Sequence, residues 1–463
     1  MKKLSKMLAL VLAALMLLAT VPAMADAPEG YPELRIDPAT GAPYDFGGME
    51  VWVYDYWSNS EGTRQEATNT MTQDTYDYQD WLMETYNFTL KQAGASDWGG
   101  NPEALLNYCN EENPSTLAIF IMRPDSVATP AKNGLLTPLD ELDVDYTGEK
   151  YNAATYDTYN FGGQHFGFSV GKAEVRQAVF FNKRILEEAG INPDSLYTMV
   201  EDGTWTWDAF EEMLATCAQD TDNDGVIDIY GMASNTTDIY LVATAANGGS
   251  FIDVDEDGKF IITATEQNTI DAMNYACDII TKYQMPQPEG SEWNWFFPAF
   301  KSGMAAFHVG QCYEANPGSD LYGMEDEFGI VPFPKGTSED AKYCHVQSEN
   351  TCVIPGNIDR ETANKMAIIY DMWREDTPGY EDDEEGWKTD LYDRFYDDES
   401  IDITYAILRD NPVADTSIML GSNNDVLGNG FFWNLPWGGT VAEVLESKLP
   451  TWQSLIDDAN GAN

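Results

Sequence analysis

Short, almost wholly apolar runs alternate with amphipathic helical stretches over roughly 300 residues of this chain, and that alternation limits the fold more than any other feature. "MEVWVYDYW", "STLAIFIM", "QAVFFN", "VIDIYGMA" and "MAAFHV" read as strands, mostly of the continuous kind buried on both faces in parallel sheets. Between them, "TWDAFEEMLATC" opens with Thr206 as an N-cap and Asp208 in its first turn. "NKRILEEAG" stops at Gly190, and "TIDAMNYACDIITKY", "ETANKMAIIYDMW" and "TVAEVLESKLPTWQSLI" are amphipathic as well. The expectation is an α/β fold with mostly parallel sheets flanked by helices. The length of 463 residues implies two or three lobes. Two charged, aromatic stretches lack a clear pattern: an N-terminal arm, 26–47, and "REDTPGYEDDEEGWKTDLYDRFYDDES", expected to be a solvated insertion with helical pieces.

The first residues predict export. Lys2, Lys3 and Lys6 precede an unbroken apolar run from Met7 to Ala19, and Ala23-Met24-Ala25 supplies small residues for cleavage. This pattern, too short for a membrane span, predicts a signal peptide over 1–25 and a mature chain from Asp26. No cysteine precedes Cys109, so no lipidation cysteine is expected beside the cleavage site. The formal net charge is −53, and loss of the three lysines leaves 22 basic against 78 acidic residues. Such a surface repels nucleic acid and anionic membranes. A hydrophobic content of 43% nevertheless supplies substantial cores. Cys109, Cys217 and Cys277 sit on helical apolar stripes and read as buried thiols, while Cys344 and Cys352 are close enough in sequence to pair.

"DTDNDGVIDIYG" has the spacing of a calcium loop. Asp220, Asp222 and Asp224 would bind through side chains, Val226 through its carbonyl, and Asp228 directly or through water. Gly225 allows the turn, but position twelve is Gly231 where a bidentate Glu is usual. The loop runs from a helix into a strand, which argues against a calcium sensor. "DVDEDGK", Asp253 to Lys259, lacks an acid at position nine and reads as a hairpin turn.

In parallel sheets, ligands meet the loops that follow the carboxyl ends of strands. Here those loops carry Asp55, Trp57, Asn59 and Glu61; Arg123 and Asp125; Ser234, Asn235 and Asp238, with Tyr240 beyond; and Gln311, Tyr313 and Glu314. Flat aromatic faces beside amides and carboxylates suit a neutral polyol. Trp57 and Trp98, the latter in "SDWGG", are the candidate stacking platforms. A hydrolase reading rests on "GFSVG", which makes Ser169 a formal nucleophile. That motif needs a helix directly after the serine, and "KAEVRQAVFF" reads as extended chain. The acidic balance keeps a cationic peptide or polyamine as an alternative ligand.

The order of "NGLLTPLDEL", "GGQHFGFSVG", "VFFNKRILEEAGI", "GTWTWDAFEEML", "DTDNDGVIDIYG", "ANGGSF", "FPAFKSGMAAFHVG" and "FGIVPFPKG" resembles the bacterial extracellular solute-binding proteins of family 1, sugar-binding components of ABC importers. The resemblance implies a two-lobed type II periplasmic-binding-protein-like fold with three crossing segments, near 173–177, 304–310 and 346–353. It puts 48–172 plus 311–345 in the first lobe, and 178–303 plus 354–463 in the second with the calcium-type loop, where it implies a structural Ca2+. It implies capture of a carbohydrate or oligosaccharide without chemistry, delivery to a membrane permease, and a monomer. By position it adds Asp238, Tyr313, Trp433 and Trp437 to the binding residues, beside Trp57, Glu61, Trp98 and Tyr240.

Overall fold

The computed structural model describes residues 27–67, 69–380, 385–420, 431–432, 435, 437 and 439–461. The expected signal peptide, Asp26 and Trp433 lie outside these residues. Among the described residues no helix is long and apolar enough to cross a membrane.

In chain order, β1 (Met49–Asp55) leads to α1 (Thr70–Tyr86), followed by β2 (Phe88–Gly94) and β3 (Leu117–Met122). A small hairpin, β4 (Asn160–Phe161) and β5 (Gln164–His165), precedes β6 (Gln177–Asn182). Then come α2 (Trp207–Cys217), β7 (Tyr230–Met232) and α3 (Thr236–Ala246). The hairpin β8 (Ile252–Val254) and β9 (Phe260–Ile262) leads to α4 (Gln267–Tyr283). The strands β10 (Ala305–Gln311), β11 (Phe328–Val331), β12 (His345–Gln347) and β13 (Thr351–Val353) follow. Last are α5 (Arg360–Trp373), β14 (Pro412–Ala414) and α6 (Val441–Ala459).

Two four-stranded sheets result, ordered β13-β3-β1-β2 and β11-β6-β10-β7. β1 runs parallel to β3, with Val51 opposite Leu117, and β13 runs against β3. In the second sheet β10 is parallel to β7, and β6 opposes both β10 and β11. Three strands of that sheet therefore share one direction and β6 alone is reversed. Successive side chains of a strand point to opposite faces. Val179 and Phe181 accordingly enter one core with Trp205, Phe210 and Phe307, while Ala178 and Phe180 enter another with Phe300 and Phe328. Burial on both faces is why "QAVFFN" shows no polar alternation. Each fully buried Phe contributes about 1.5–3 kcal/mol relative to exposure.

The chain divides into two compact units. Among the described residues one comprises 27–50, 65–67, 69–90 and 372–380. In it Asn69 caps α1 by accepting from the Thr72 N–H at 2.8 Å, and Asn87 ends the helix in the left-handed region at φ 54°. Tyr31 packs edge-on against Tyr78 and Trp81, and Arg35 pairs with Glu375 at 3.1 Å. The other unit takes in 51–64, 91–371 and the described residues after 384, and holds the cavity described below.

Several segments lie elsewhere than the sequence suggested. Residues 304–310 form most of β10 inside the second sheet, so no crossing occurs there. β11, in the segment 311–345 expected with the first lobe, pairs with β6. α5, expected with the second lobe, bonds the region before β6: Asn364 with Asp143, and Asp371 with Tyr151. The chain passes between the sheets near 173–177 and again near 346–351. Later in the chain Ser400 and Thr404 bond Ile330 of β11. The charged stretch up to Ser400 is not simply solvated, because Leu391 and Phe395 are buried in the Phe180 core, as are Ile401 and Tyr405 just after it. None of the six cysteines forms a disulfide, Cys344 and Cys352 included. "DVDEDGK" is the turn between β8 and β9, as expected.

Candidate solute-binding cavity

Loops leaving the carboxyl ends of β1, β2, β3, β7, β10 and β14 converge with the passages at 174–177 and 346–350 around a cavity of about 710 Å3. That volume suits a small organic ligand. Each wall has an identifiable local cause.

Behind β1, the buried Asp55 carboxylate organises the turn. It accepts from the backbone N–H of Trp57 at 3.1 Å and Ser58 at 2.8 Å, and from the Ser58 hydroxyl and Gln92 amide at 2.6 Å each. The fixed turn leaves Trp57 52% exposed at the cavity, with Tyr56 edge-on at 4.9 Å. Tyr56 donates its hydroxyl to Asn350. Trp98, 56% exposed, has the Arg123 guanidinium 3.5 Å from its ring centre. Asp125 clamps that guanidinium through both oxygens, at 3.1 and 2.6 Å. The indole is thus stiffened from one side by a cation, a geometry that attracts a guanidinium to the ring face.

Across the cavity, Asp238 sits in the first turn of α3, which Asn235 caps. Only 3% exposed, it accepts at Oδ1 from the amides of Gln177 and Gln311, both at 3.1 Å. The other end of the Gln177 amide accepts from the Val346 N–H at 2.9 Å. Burial pushes the Asp238 carboxyl up to about 7, and the neighbouring Glu314 adds to the rise. Glu314 is itself buried, 2.8 Å from His308 Nε2, while His308 Nδ1 donates to the Ala233 carbonyl at 2.7 Å. Burial alone would lower the His308 pKa, but the carboxylate and its hydrogen bond carry it above the usual value. Phe180, Phe296, Phe297 and Phe300 surround the imidazole. The pair ties down the short helical turn Cys312–Ala315, which carries Tyr313 into the cavity.

Arg176 spans the base. It donates to the Ser348 carbonyl at 2.6 Å, pairs with Glu174 at 3.2 Å and lies 5.9 Å from the Tyr313 ring centre. Burial pushes Glu349 up to about 7 against the pull of Arg176, and lowers His345 to about 4 with help from the same cation.

The structure brings Trp57, Trp98, Asp238 and Tyr313 to one cavity. Tyr240 is elsewhere: its fully buried ring stacks on Phe432 at 5.4 Å, and its hydroxyl meets Cys277 Sγ at 3.7 Å. Residues two apart on a helix point to nearly opposite sides, so Asp238 and Tyr240 cannot share a wall. Glu61 is exposed on the turn after β1 and is not part of the lining. Trp437, 75% exposed, is outside it too. Tyr56, Gln177, Asn350 and Asp415 line the cavity without having been singled out. Adjacency to Trp57 was the only sequence signal for Tyr56, and the others gave none.

Ser169 is buried and donates to the Thr155 hydroxyl at 2.9 Å, with no helix following it. His165 bonds Asp140 instead, at 2.8 Å, so the G-x-S-x-G match forms no nucleophile elbow.

The acidic loop lies between α2 and β7, closed by the Gln219–Ile229 bridge. Carboxylate oxygens of Asp220, Asp222 and Asp224 lie within 4.8 Å of one another. Asn223 and Gly225 adopt positive φ, 59° and 91°, to bend the chain around them. Asp228 accepts from the N–H and hydroxyl of Thr221, which hold its pKa down. Gly231 has a physical reason. A Cβ there would stand 2.9 Å from the Leu214 carbonyl and 3.0 Å from Tyr283 Cβ, so no glutamate fits between α2 and α4.

Two α/β sheets whose loops meet at a single cavity define a type II solute-binding fold, and solved structures share it. UgpB from Mycobacterium tuberculosis, solved with glycerophosphocholine, is 16% identical, with 89% of this chain and 99% of that one covered at a TM-score of 0.62. The cyclic alpha-maltosyl-1,6-maltose binding protein from Arthrobacter globiformis is 15% identical, covering 89% and 100% at 0.61. The GacH receptor of Streptomyces glaucescens, solved unliganded and with acarbose, is 18% identical, covering 89% and 99% at 0.59. No curated protein matches the chain in sequence. The model of the bacterial extracellular solute-binding protein family matches residues 112–354, more than half of the chain, and the chain belongs to that family.

Proposed function

We propose that this protein captures a neutral carbohydrate, most simply an oligosaccharide, and delivers it unaltered to the membrane permease of an ABC importer. One observation carries the reading. Trp57, Trp98 and Tyr313 present ring surface to a cavity whose other walls offer amides and carboxylates. Sugar rings need that pairing, with aromatic faces on C–H surfaces and planar polar groups on hydroxyls. The relatives solved with acarbose and with mannotriose support the ligand class. A cationic peptide or polyamine has weaker support, because Asp125 and Glu174 already pair with arginines.

In this reading the two sheets belong to two lobes, and the passages at 173–177 and 346–351 act as hinges. Ligand contacts on both sides favour the closed form by their differential affinity. The protein works as an exported monomer after loss of residues 1–25 and carries out no reaction. The acidic loop binds Ca2+ through Asp220, Asp222, Asp224, the Val226 carbonyl and Asp228, directly or through water. The oxygen spacing supports this, since oxygens 2.3–2.6 Å from one calcium lie within about 5 Å of each other. The ion would brace the junction of α2 and β7.

Thermal-shift titration against neutral oligosaccharides tests the assignment. A saturable rise in melting temperature with at least one is expected. A flat sugar panel with a rise for spermidine or a basic peptide would overturn the ligand class.

A further inference from the structure

Asp238 is held in an unusual way for a carboxylate at a ligand cavity. Both amides that reach it, from Gln177 and Gln311, donate to the same oxygen, Oδ1. Among the described residues Oδ2 has no hydrogen-bond partner, and the side chain lines the cavity although it is 97% buried. With two donors on Oδ1, a proton arriving at this group must settle on Oδ2. Protonation therefore turns the cavity-facing atom from an acceptor into a donor.

Resting on the solute-binding reading above, we propose that Oδ2 of Asp238 accepts a hydrogen bond from a hydroxyl of the bound solute only as the carboxylate, so that capture is coupled to proton release and acidification favours discharge. When solute binds the protonated form, the Oδ2 proton leaves to solvent and the solute O–H takes its place as the donor.

The surroundings set the working range. On α3 the helix N-terminus favours the charged form. From β6, Gln177 donates and the Arg176 cation is engaged with Glu174 and Ser348. From β10 and the turn after it, Gln311 donates, His308 favours the charge and Glu314 opposes it, while Tyr313 stays a neutral phenol. From β12, His345 is neutral near pH 7. α4 packs on the far side of α3, where Cys277 meets Tyr240. Desolvation outweighs the favourable contacts and places the transition near pH 7.

The experiment has two arms and uses the whole protein with its Asp238→Asn variant, which keeps both Oδ1 bonds. First, without solute, urea unfolding is followed at pH 5.5 and pH 8. The wild-type unfolding constant should grow between those pH values by roughly 30-fold more than that of D238N, because folded Asp238 holds its proton to higher pH than the unfolded chain does. Equal pH dependence in the two proteins would overturn the inference. Second, calorimetry with mannotriose and maltotetraose is run at both pH values in buffers of different ionisation enthalpy. Affinity should be roughly 30-fold weaker at pH 5.5, with close to one proton released, and D238N should lose the proton exchange and the pH dependence. Binding without proton release, or stronger at pH 5.5, would overturn the acceptor role. No sugar binding at either pH, with the first arm positive, would overturn the sugar reading instead and leave a titrating Asp238 in place.

Discussion

Gly310→Ala should be among the most destabilising single-methyl additions available in this protein. Gly310 lies in β10 opposite Ala178 of β6, and its φ is ordinary, so the reason for glycine is space alone. A Cβ built there would overlap both His308 Nε2 and Glu314 Oε2, the two atoms that form the buried 2.8 Å pair. Neither side chain has room to retreat, since the imidazole is ringed by phenylalanines and bonded to Ala233, and Glu314 is 3% exposed. The methyl must part the pair and leave two charges buried without partners. Breaking a buried pair of this kind costs about 3–5 kcal/mol, a large share of a typical folding stability of about 5–15 kcal/mol. Urea unfolding followed by tryptophan fluorescence measures the loss. Solute affinity should fall as well, because the same turn carries Tyr313 and positions Gln311 against Asp238. Glu314→Ala supplies the control, since without the carboxylate there is no buried pair to part and the imidazole, still met by the methyl, can shift into the vacated space. In that background Gly310→Ala should cost less by at least about 2 kcal/mol. A loss below about 1 kcal/mol, or an equal loss in both backgrounds, would refute the argument.

Other outcomes follow from the same geometry. Trp98→Ala should weaken solute binding by about tenfold or more in calorimetry while leaving the melting temperature nearly unchanged, because its ring is half exposed and contacts chiefly Arg123. Removing calcium with a chelator, or Asp222→Ala, should lower the melting temperature while sparing solute affinity at low temperature; identical melting with and without chelator would refute the ion. Glu349→Gln should stabilise the ligand-free protein at pH 8 by no more than about 2 kcal/mol, once partial solvent access is allowed for. The sign follows from its raised pKa. The folded state binds more protons than the unfolded between pH 4.5 and about 7, so wild-type stability falls across that window and the glutamine variant lacks the fall. Ser169→Ala should change no ester hydrolysis above background, and turnover lost in that variant would restore the hydrolase reading.

Much of the architecture was legible because burial on both faces writes itself into composition. The runs around Val51, Ile119, Met232 and Phe307 read as interior strands, and the loops after β1, β7 and β10 reached Trp57, Asp238 and Tyr313. Strand partners are a different matter. "MAAFHV" is equally apolar as a crossing segment or as a central strand, and nothing local says that β10 pairs with β6 and β7. The stretch from 374 to 400 misled for the opposite reason. Its acidic residues dominate the composition, while Leu391 and Phe395, four residues apart, are buried. Tyr240 was grouped with Asp238 because 234–240 reads as a loop; as part of α3 the two diverge. The amides of Gln177 and Gln311 act only through a carboxylate some 60 or more residues away, and such remote pairings leave no trace in sequence.

The six reduced cysteines tell something about how this protein ages. An exported chain that uses none of its sulfur for cross-links matures without any oxidising catalyst, and reductants in its surroundings cannot weaken it. Burial makes thiolates scarce at Cys109, Cys217, Cys277, Cys312 and Cys344, so the sulfur stays inert while the chain is intact. Each unfolding excursion in air then becomes a chance for scrambled bridges that block return, and working lifetime is governed by how rarely the cores open rather than by how stable they are at equilibrium.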